Sequence, residues 1–100
     1  MGVYIIAQLK FTDRASYRRY QEAFHGVFAQ FNGRLLVADE EPRLLEGAWE
    51  RDKVVVLGFP SGEEALRFQN SPEYSAIARD RRAGAEATVL LVRQFPANLT

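Results

Sequence analysis

Three short segments of the sequence are apolar at every position, and they are the strongest constraint on its fold. The segments are Val3–Ala7, Val54–Leu57 and Val89–Val92. Their β-branched and aromatic residues favour strands. In a strand with one solvent-exposed face, apolar and polar residues alternate, but these three segments show no such alternation. The sequence therefore predicts a sheet whose strands are buried on both faces.

An amphipathic helix is predicted after the first strand, which we expect to cover Val3–Phe11. Apolar residues recur there at spacings of three and four, as they do along one stripe of a helix. They are Tyr17, Tyr20, Phe24, Val27, Phe28 and Phe31. Thr12 or Asp13 can cap the helix. Because Asn32 and Gly33 tolerate the left-handed conformation common at helix ends, we expect the helix to stop there.

Further strands are predicted on either side of a polar turn. Arg34–Ala38 and Arg43–Trp49 flank Asp39–Pro42. Proline is excluded from a central ladder, so these two runs are typical of a hairpin or a bent strand pair. Lys53–Phe59 follows as a strong strand.

The second helical region is expected to be interrupted. Ser61 and Glu64 fit a capping box, in which each side chain bonds to the backbone N–H of the other residue. Ser71–Glu73 then starts a new helix, with a capping serine and a proline at the first helical position. Gly84 is expected to end this helix, and Ala87–Phe95 is the last predicted strand.

This order of elements predicts an α+β, ferredoxin-like fold, with two helices on one face of an antiparallel sheet. Two helices cover one face only, although the strands are apolar on both. We therefore expect a second copy of the chain to cover the other face, giving a homodimer packed through its sheets.

The composition narrows the possible functions. The 100 residues include no cysteine, which excludes disulfides and thiolate metal sites and suits a reducing compartment. Because 13 basic residues balance 13 acidic ones, nothing favours binding to nucleic acid. The first residues resemble neither a secretory leader nor a membrane span. We expect one cytoplasmic domain over residues 1–100, with no metal, cofactor, nucleic acid or membrane partner.

The chain resembles bacterial proteins of the DUF1330 family, small members of the dimeric α/β-barrel superfamily. The resemblance rests on Tyr17 with Tyr20, Asn32–Val37, Leu45–Trp49, Val55–Ser61, Ala65, Ser71–Tyr74 and Arg81. It implies the same fold and a dimer. The superfamily includes antibiotic-type monooxygenases, muconolactone isomerases and haem-degrading proteins, which are similar in holding a small, largely apolar molecule between sheet and helices.

This sequence departs from the family pattern at two places. It has His25 where the family more often has proline, and Phe68–Gln69 where the family more often has Trp-Tyr. Both places belong to the candidate pocket wall, so the resemblance does not imply the identity of a ligand.

Two residues are candidates for general base. His25 is the only histidine, and imidazole is the side chain that titrates nearest neutral pH. Because it stands alone and one position off the aromatic stripe, a surface or interface residue is the other interpretation. Glu46 is predicted to face Arg34 across the hairpin. Either the two form a structural ion pair, or Arg34 holds a carboxylate or enolate while Glu46 accepts a proton.

The other candidate residues could line a ligand cavity. They are Tyr17, Tyr20, Trp49, Phe68, Ser71, Tyr74 and Arg81. The aromatic residues can also be plain core, Ser71 an N-cap, and Arg81 a partner of the helix dipole. The sequence therefore favours a small-molecule-binding protein, with a cofactor-independent isomerase or monooxygenase acting on a small apolar or aromatic acid as one hypothesis. A non-catalytic binding or structural homodimer is the alternative.

Overall fold

The computed structural model describes residues 2–96, which form four strands and three helices. In chain order these are β1 Val3–Phe11, α1 Arg14–Phe28, β2 Arg34–Asp39, β3 Lys53–Phe59, α2 Gly62–Gln69, α3 Pro72–Gly84 and β4 Ala85–Arg93. The predicted interruption of the second helical region is confirmed between α2 and α3. Within the described range, none of the helices has the length and apolar character needed to cross a bilayer.

The strands form one antiparallel sheet in the order β2-β3-β1-β4. The central strand β1 pairs with β4 along its whole length, from Val3 opposite Arg93 to Phe11 opposite Ala85. One helical connection follows β1 and another follows β3, as in the ferredoxin-like arrangement. The predicted α+β fold class is therefore confirmed.

The helices cover one face of the sheet. Successive strand residues point to opposite faces, and on β1 the residues Val3, Ile5 and Leu9 are buried. They pack in one cluster with apolar residues of all three helices, including the fully buried Phe68 of α2. The core therefore lies between this face of the sheet and the helices.

The opposite face of the sheet is apolar and partly exposed. Val37, Val56, Ile6 and Leu90 lie side by side across the four strands, because each is the register partner of the next. Leu90 is 49% exposed and Val37 is 38% exposed. We call the face that carries this row the open sheet face. Burying a contiguous apolar row of this kind requires another molecule.

The prediction of a strand over Arg43–Trp49 is wrong. Residues 40–52 form an irregular loop between β2 and β3, in which Leu45 is 81% exposed. Gly47 has a φ of +89°, which lies outside the extended region. The strand that runs back along β2 is β3 instead, which pairs with it antiparallel.

α1 is shorter than predicted, since it ends at Phe28 with Ala29 as its C-cap. Gly33 does not adopt the expected positive φ. It permits a close approach instead, because a Cβ atom there would lie 2.6 Å from Cζ of Phe28 and 2.8 Å from Cε1 of Phe59. The turn after α1 therefore packs directly on the aromatic core.

The capping box at the start of α2 forms only in part. The Ser61 hydroxyl accepts a hydrogen bond from the Glu64 N–H at 3.2 Å, as predicted. The Glu64 carboxylate pairs with Arg67 at 2.7 Å and accepts from the Asn32 N–H at 2.9 Å, instead of bonding to Ser61. Two hydrogen bonds lower the pKa of Glu64 to about 2, and the bond from Arg67 has a larger effect than the bond from Asn32. This carboxylate therefore ties α2 to the turn that follows α1.

β4 begins earlier than predicted and directly after α3. The Gly84 carbonyl accepts hydrogen bonds from the N–H groups of Thr12 and Asp13 at 2.9 and 3.1 Å. These bonds join the end of α3 to the end of β1, so that Ala85 already pairs with Phe11. Pairing with β1 therefore sets the bounds of β4.

Replacing Gly84 by alanine is expected to lower the free energy of unfolding by about 1–3 kcal/mol. A Cβ atom there would lie 2.8 Å from the Asp13 carbonyl oxygen and would also meet the backbone of Tyr17. Gly26→Ala is the control, because Gly26 lies inside α1 with nothing within 4 Å of its Cβ position. That change should stabilise by about 0.5–1 kcal/mol. Urea unfolding measures both, and a Gly84→Ala protein as stable as the original would contradict the close approach.

Candidate functional site

A cavity of about 100 Å³ lies between the helix-covered face of the sheet and the helices. We call it the helix-side cavity. Most of its wall on the sheet side is apolar, and this apolar part consists of Ile5, Ala7, Leu9, Leu35, Ala38, Val55, Leu57 and Val89. A water molecule takes up about 30 Å³ in the liquid, so this volume suits a molecule of few heavy atoms.

Three tyrosines line the helical side of the cavity. Tyr17 and Tyr20 come from α1, and Tyr74 comes from α3. The hydroxyls of Tyr20 and Tyr74 are 3.1 Å apart and share a hydrogen bond. This bond uses one of the two hydroxyl hydrogens, which leaves the other free to be donated to a ligand. The structure thus brings the three predicted tyrosines together, while ligand contact by them stays a prediction.

N-terminal caps position these tyrosines. The Asp13 carboxylate caps α1 by accepting from backbone N–H groups of its first turn. Ser71 accepts from the Tyr74 N–H at 3.0 Å, and its hydroxyl donates to the Phe68 carbonyl at 2.8 Å. Ser71 is not among the residues that line the helix-side cavity. In the structure it is the cap that holds Tyr74.

Arg81, in the last turn of α3, brings a positive charge to the cavity wall. Its charge acts on the phenols of both Tyr17 and Tyr20, where it favours the ionised form and works to lower the pKa. The Nε atom of Arg81 is buried, and no residue in the described range accepts a hydrogen bond from it. Leaving a buried charged donor unpaired is costly, so an additional acceptor would stabilise it.

Lys53 is a charged cavity residue that the sequence patterns did not predict. It is the first residue of β3, is 3% exposed and lines the cavity. Its Nζ atom lies 3.7 Å from a carboxylate oxygen of Glu40 and 4.9 Å from the ring centre of Tyr17. Burial lowers the pKa of Lys53, although Glu40 acts in the opposite direction. The available signal was the strand period of two, which places Lys53 on the same face as Val55 and Leu57.

Burial keeps the phenols of α1 in their neutral form. It is the main cause that raises the pKa of Tyr17 to about 12, and it raises the pKa of Tyr20 well above its usual value. Tyr74 adds to both shifts, whereas Arg81 opposes both. Near neutral pH these phenols can donate hydrogen bonds but cannot act as bases.

His25 lies at the rim of the cavity, where it is exposed and borders the opening with Gln21 and Gln69. Its ring meets Phe24 edge-on, with ring centres 5.7 Å apart. No cluster of three or more His, Asp or Glu side chains suited to a metal occurs between residues 2 and 96. The structure thus leaves His25 as a candidate base, and that role stays a prediction.

Four of the other predicted site residues lie outside the helix-side cavity. Phe68 is fully buried in the core. Glu46 and Trp49 line a surface hollow formed by the loop over residues 40–52, and Arg34 lines another beside Gly58. Arg34 and Glu46 form no ion pair in the part of the chain that the structure describes. The prediction that they face each other is wrong, because the strand that would carry Glu46 does not form.

The helix-side cavity combines an apolar wall with positive charge and hydroxyl groups. Lys53 and Arg81 supply the charge, and the Tyr20–Tyr74 pair supplies the hydroxyls. A guanidinium group binds a planar carboxylate through two parallel hydrogen bonds. The arrangement therefore suits a small molecule with an apolar part and an anionic group.

Solved structures with similar backbones share this fold. A protein of unknown function from Rhodopseudomonas palustris has a TM-score of 0.79 at 15% identity, over 95% of this chain and 83% of that one. A dimeric ferredoxin-like protein of unknown function from Jannaschia sp. CCS1 has a TM-score of 0.74 at 10% identity, over 94% and 100%. SnoaB, a cofactor-independent oxygenase from Streptomyces nogalater, has a TM-score of 0.66 at 14% identity, over 96% and 95%. At these identities the likeness concerns the fold alone.

None of the curated proteins matches this chain. A family model does match, described as "Domain of unknown function (DUF1330)", over residues 2–95. Because this match spans nearly the whole sequence, it confirms the resemblance seen in the motifs, and the chain belongs to the DUF1330 family.

Proposed function

We propose that this chain is a small-molecule-binding protein whose helix-side cavity takes a small carboxylic acid. The observation that carries the proposal is the buried Nε atom of Arg81, which lacks an acceptor among the described residues. A carboxylate would supply that acceptor and bind the guanidinium group with two parallel bonds. The apolar wall from the sheet would contact the hydrocarbon part of the acid.

The volume of the cavity favours an acid of few carbons. The cavity measures about 100 Å³, whereas pockets for drug-sized ligands enclose roughly 300–1,000 Å³. An aromatic acid would need side chains at the rim, such as His25 and Gln69, to move. The alternative is a structural homodimer without a ligand. The small volume is the observation that favours it, because the side chains of the protein itself then fill most of the space between sheet and helices.

Thermal unfolding with propionate, and with its uncharged counterpart propionamide, tests acid binding. A ligand that binds only the native state raises the Tm. We expect propionate to raise the Tm and propionamide to leave it unchanged. Arg81→Gln should weaken the affinity for propionate about tenfold to a hundredfold, because a hydrogen bond to a charged group contributes about 1.5–3 kcal/mol.

Two variants serve as controls for this experiment. Arg82→Gln removes the neighbouring, exposed arginine, so it should bind propionate as the original does. His25→Ala should also leave the affinity nearly intact, because His25 lies exposed at the rim. Equal Tm shifts with propionate and propionamide, or equal affinities of Arg81→Gln and Arg82→Gln, would refute the proposal.

We infer that two chains associate through their open sheet faces. Three of the solved structures with this fold are described as dimeric proteins with a ferredoxin-like fold. The apolar row of Val37, Val56, Ile6 and Leu90 is a surface that a second copy would bury. A two-fold axis through this face would place the row of one chain against the row of the other, as in the commonest kind of oligomer.

A cofactor-independent isomerase or monooxygenase is the catalytic alternative. SnoaB, which has this fold, is a cofactor-independent oxygenase. The observation that favours catalysis is the Tyr20–Tyr74 hydroxyl pair inside an apolar cavity, since a preorganised donor stabilises a developing enolate. His25 would then be the base. If a His25→Ala variant keeps its affinity for propionate but loses turnover of an acid, the result would support catalysis with His25 as the base. If turnover is unchanged in this variant, His25 is not the base.

A further inference from the structure

Lys53 is unusual because its amino group is buried beside an apolar cavity. It is 3% exposed, and lysine is almost never buried to this degree without a partner. Its ion-pair partner in residues 2–96 is Glu40, 3.7 Å away, whose side chain is 44% exposed. At 3.7 Å this contact is longer than an ordinary charge-assisted hydrogen bond, and only a close, hydrogen-bonded partner offsets the cost of burying a charge. The ion pair therefore does not account for a buried amine at this position.

Pairing between β3 and β1 fixes the backbone of Lys53. Lys53 is the register partner of Leu9. The preceding residue, Asp52, donates its N–H to the Leu9 carbonyl at 2.7 Å and accepts from the Phe11 N–H at 2.8 Å through its carboxylate. These bonds fix the start of β3 against β1. The amine is thus carried by a rigid element rather than by the loop before it.

The surroundings of Lys53 also favour its nucleophilic form. Burial lowers the pKa of Lys53, while Glu40 opposes this effect. The Tyr17 ring, 4.9 Å from Nζ, is a weak attraction for the charged form. Each unit by which the pKa falls makes the neutral amine about ten times more abundant near neutral pH.

We propose that Lys53 is a covalent binding site for a small aldehyde or oxo acid, held as an imine inside the helix-side cavity. The Nζ lone pair attacks the carbonyl carbon and forms a C–N bond. The carbonyl oxygen then leaves as water with the two hydrogens of the amine, so no oxidant or reductant takes part. Glu40 is placed to carry the proton from nitrogen to oxygen. The inference rests on the proposed function only in that the cavity admits a small molecule.

The sequence provides its own control, because its two lysines are the buried Lys53 and the exposed Lys10. The probes are glyoxylate and acetaldehyde, with sodium cyanoborohydride to reduce any imine. Each addition raises the mass of the chain by that of the probe less one oxygen atom, and peptide mapping assigns it to Lys53, Lys10 or the N-terminal amine. We expect labelling of Lys53 to exceed that of Lys10 severalfold, because Lys53 lines the cavity that would hold the probe and Lys10 does not.

Variants and outcomes separate this inference from the proposed function. Lys53→Arg should lose the preferential label, and Lys10→Arg should keep it. Labelling of Lys53 no greater than that of Lys10 in the original protein would overturn the inference, and this comparison does not depend on how Lys53→Arg folds. If propionate binds but neither probe prefers Lys53, the imine proposal alone fails. If acetaldehyde prefers Lys53 but propionate does not bind, the imine proposal stands and the acid proposal fails.

Discussion

Replacing Phe68 by alanine is expected to lower the free energy of unfolding by about 3–5 kcal/mol. Phe68 is 0% exposed. Its ring centre lies 4.5 Å from that of Tyr74 and 5.3, 5.4 and 5.6 Å from those of Phe28, Phe31 and Phe59. These neighbours are held by different elements, so they cannot all move in to fill the space. The loss would be a large part of the roughly 5–15 kcal/mol that stabilises a typical domain.

Urea and thermal unfolding measure this effect. For a domain of this size, a loss of 3 kcal/mol corresponds to a fall in Tm of at least about 12 °C. Phe95→Ala is the matched control, because Phe95 is 66% exposed and its removal should change stability by about 0.5 kcal/mol or less. Phe68→Leu should fall between the two. A Phe68→Ala protein within about 1 kcal/mol of the original would show that the core does not depend on this ring.

Replacing Leu90 by lysine is expected to dissociate the proposed homodimer. Leu90 ends the apolar row on the open sheet face and is 49% exposed in the single chain. A lysine there can reach solvent in the monomer, but the dimer would bury its charge without a partner. A two-fold interface contains the substitution twice. At about 1.4 kcal/mol or more for each copy, the dissociation constant should rise at least about a hundredfold.

Leu66→Lys is the matched control for this prediction. Leu66 is 48% exposed, nearly as much as Leu90, but it lies on α2 rather than on the open sheet face. Sedimentation velocity over a range of concentrations should find Leu66→Lys dimeric where Leu90→Lys is monomeric, with both folded by circular dichroism. A Leu90→Lys protein that stays dimeric would place the interface elsewhere, and a monomeric original protein would exclude the dimer.

Local patterns were sufficient for most of the fold. The aromatic stripe that begins at Tyr17 predicted α1, and the serine–proline pair Ser71–Pro72 predicted the break before α3, because capping and side-chain period act within a few residues. The hairpin failed for the opposite reason. The apolar residues of Arg43–Trp49 satisfy strand propensity, but a strand also needs a partner edge, and β2 pairs with β3 instead.

The candidate site was only partly predictable. The helical period brought Tyr17, Tyr20 and Tyr74 to one place, because each lies on the buried side of its helix. The strand period of two puts Lys53 on the face of Val55 and Leu57, but the period alone does not show whether that face, or the face of Lys10, is the one that the helices cover. Register decides between them, because it sets which face of the sheet each side chain occupies.

The sequence by itself determined most of the elements, the ferredoxin-like order and the presence of more apolar strand surface than its own helices can cover. These properties follow from hydrophobic period and capping, which operate over a turn of helix or a few strand residues. The tertiary structure alone decided that Arg81 and Lys53 share a cavity with the tyrosines while Arg34 and Glu46 lie apart. The reason is that strand pairing and helix packing bring together residues far apart in the chain, and these long-range contacts set which side chains meet.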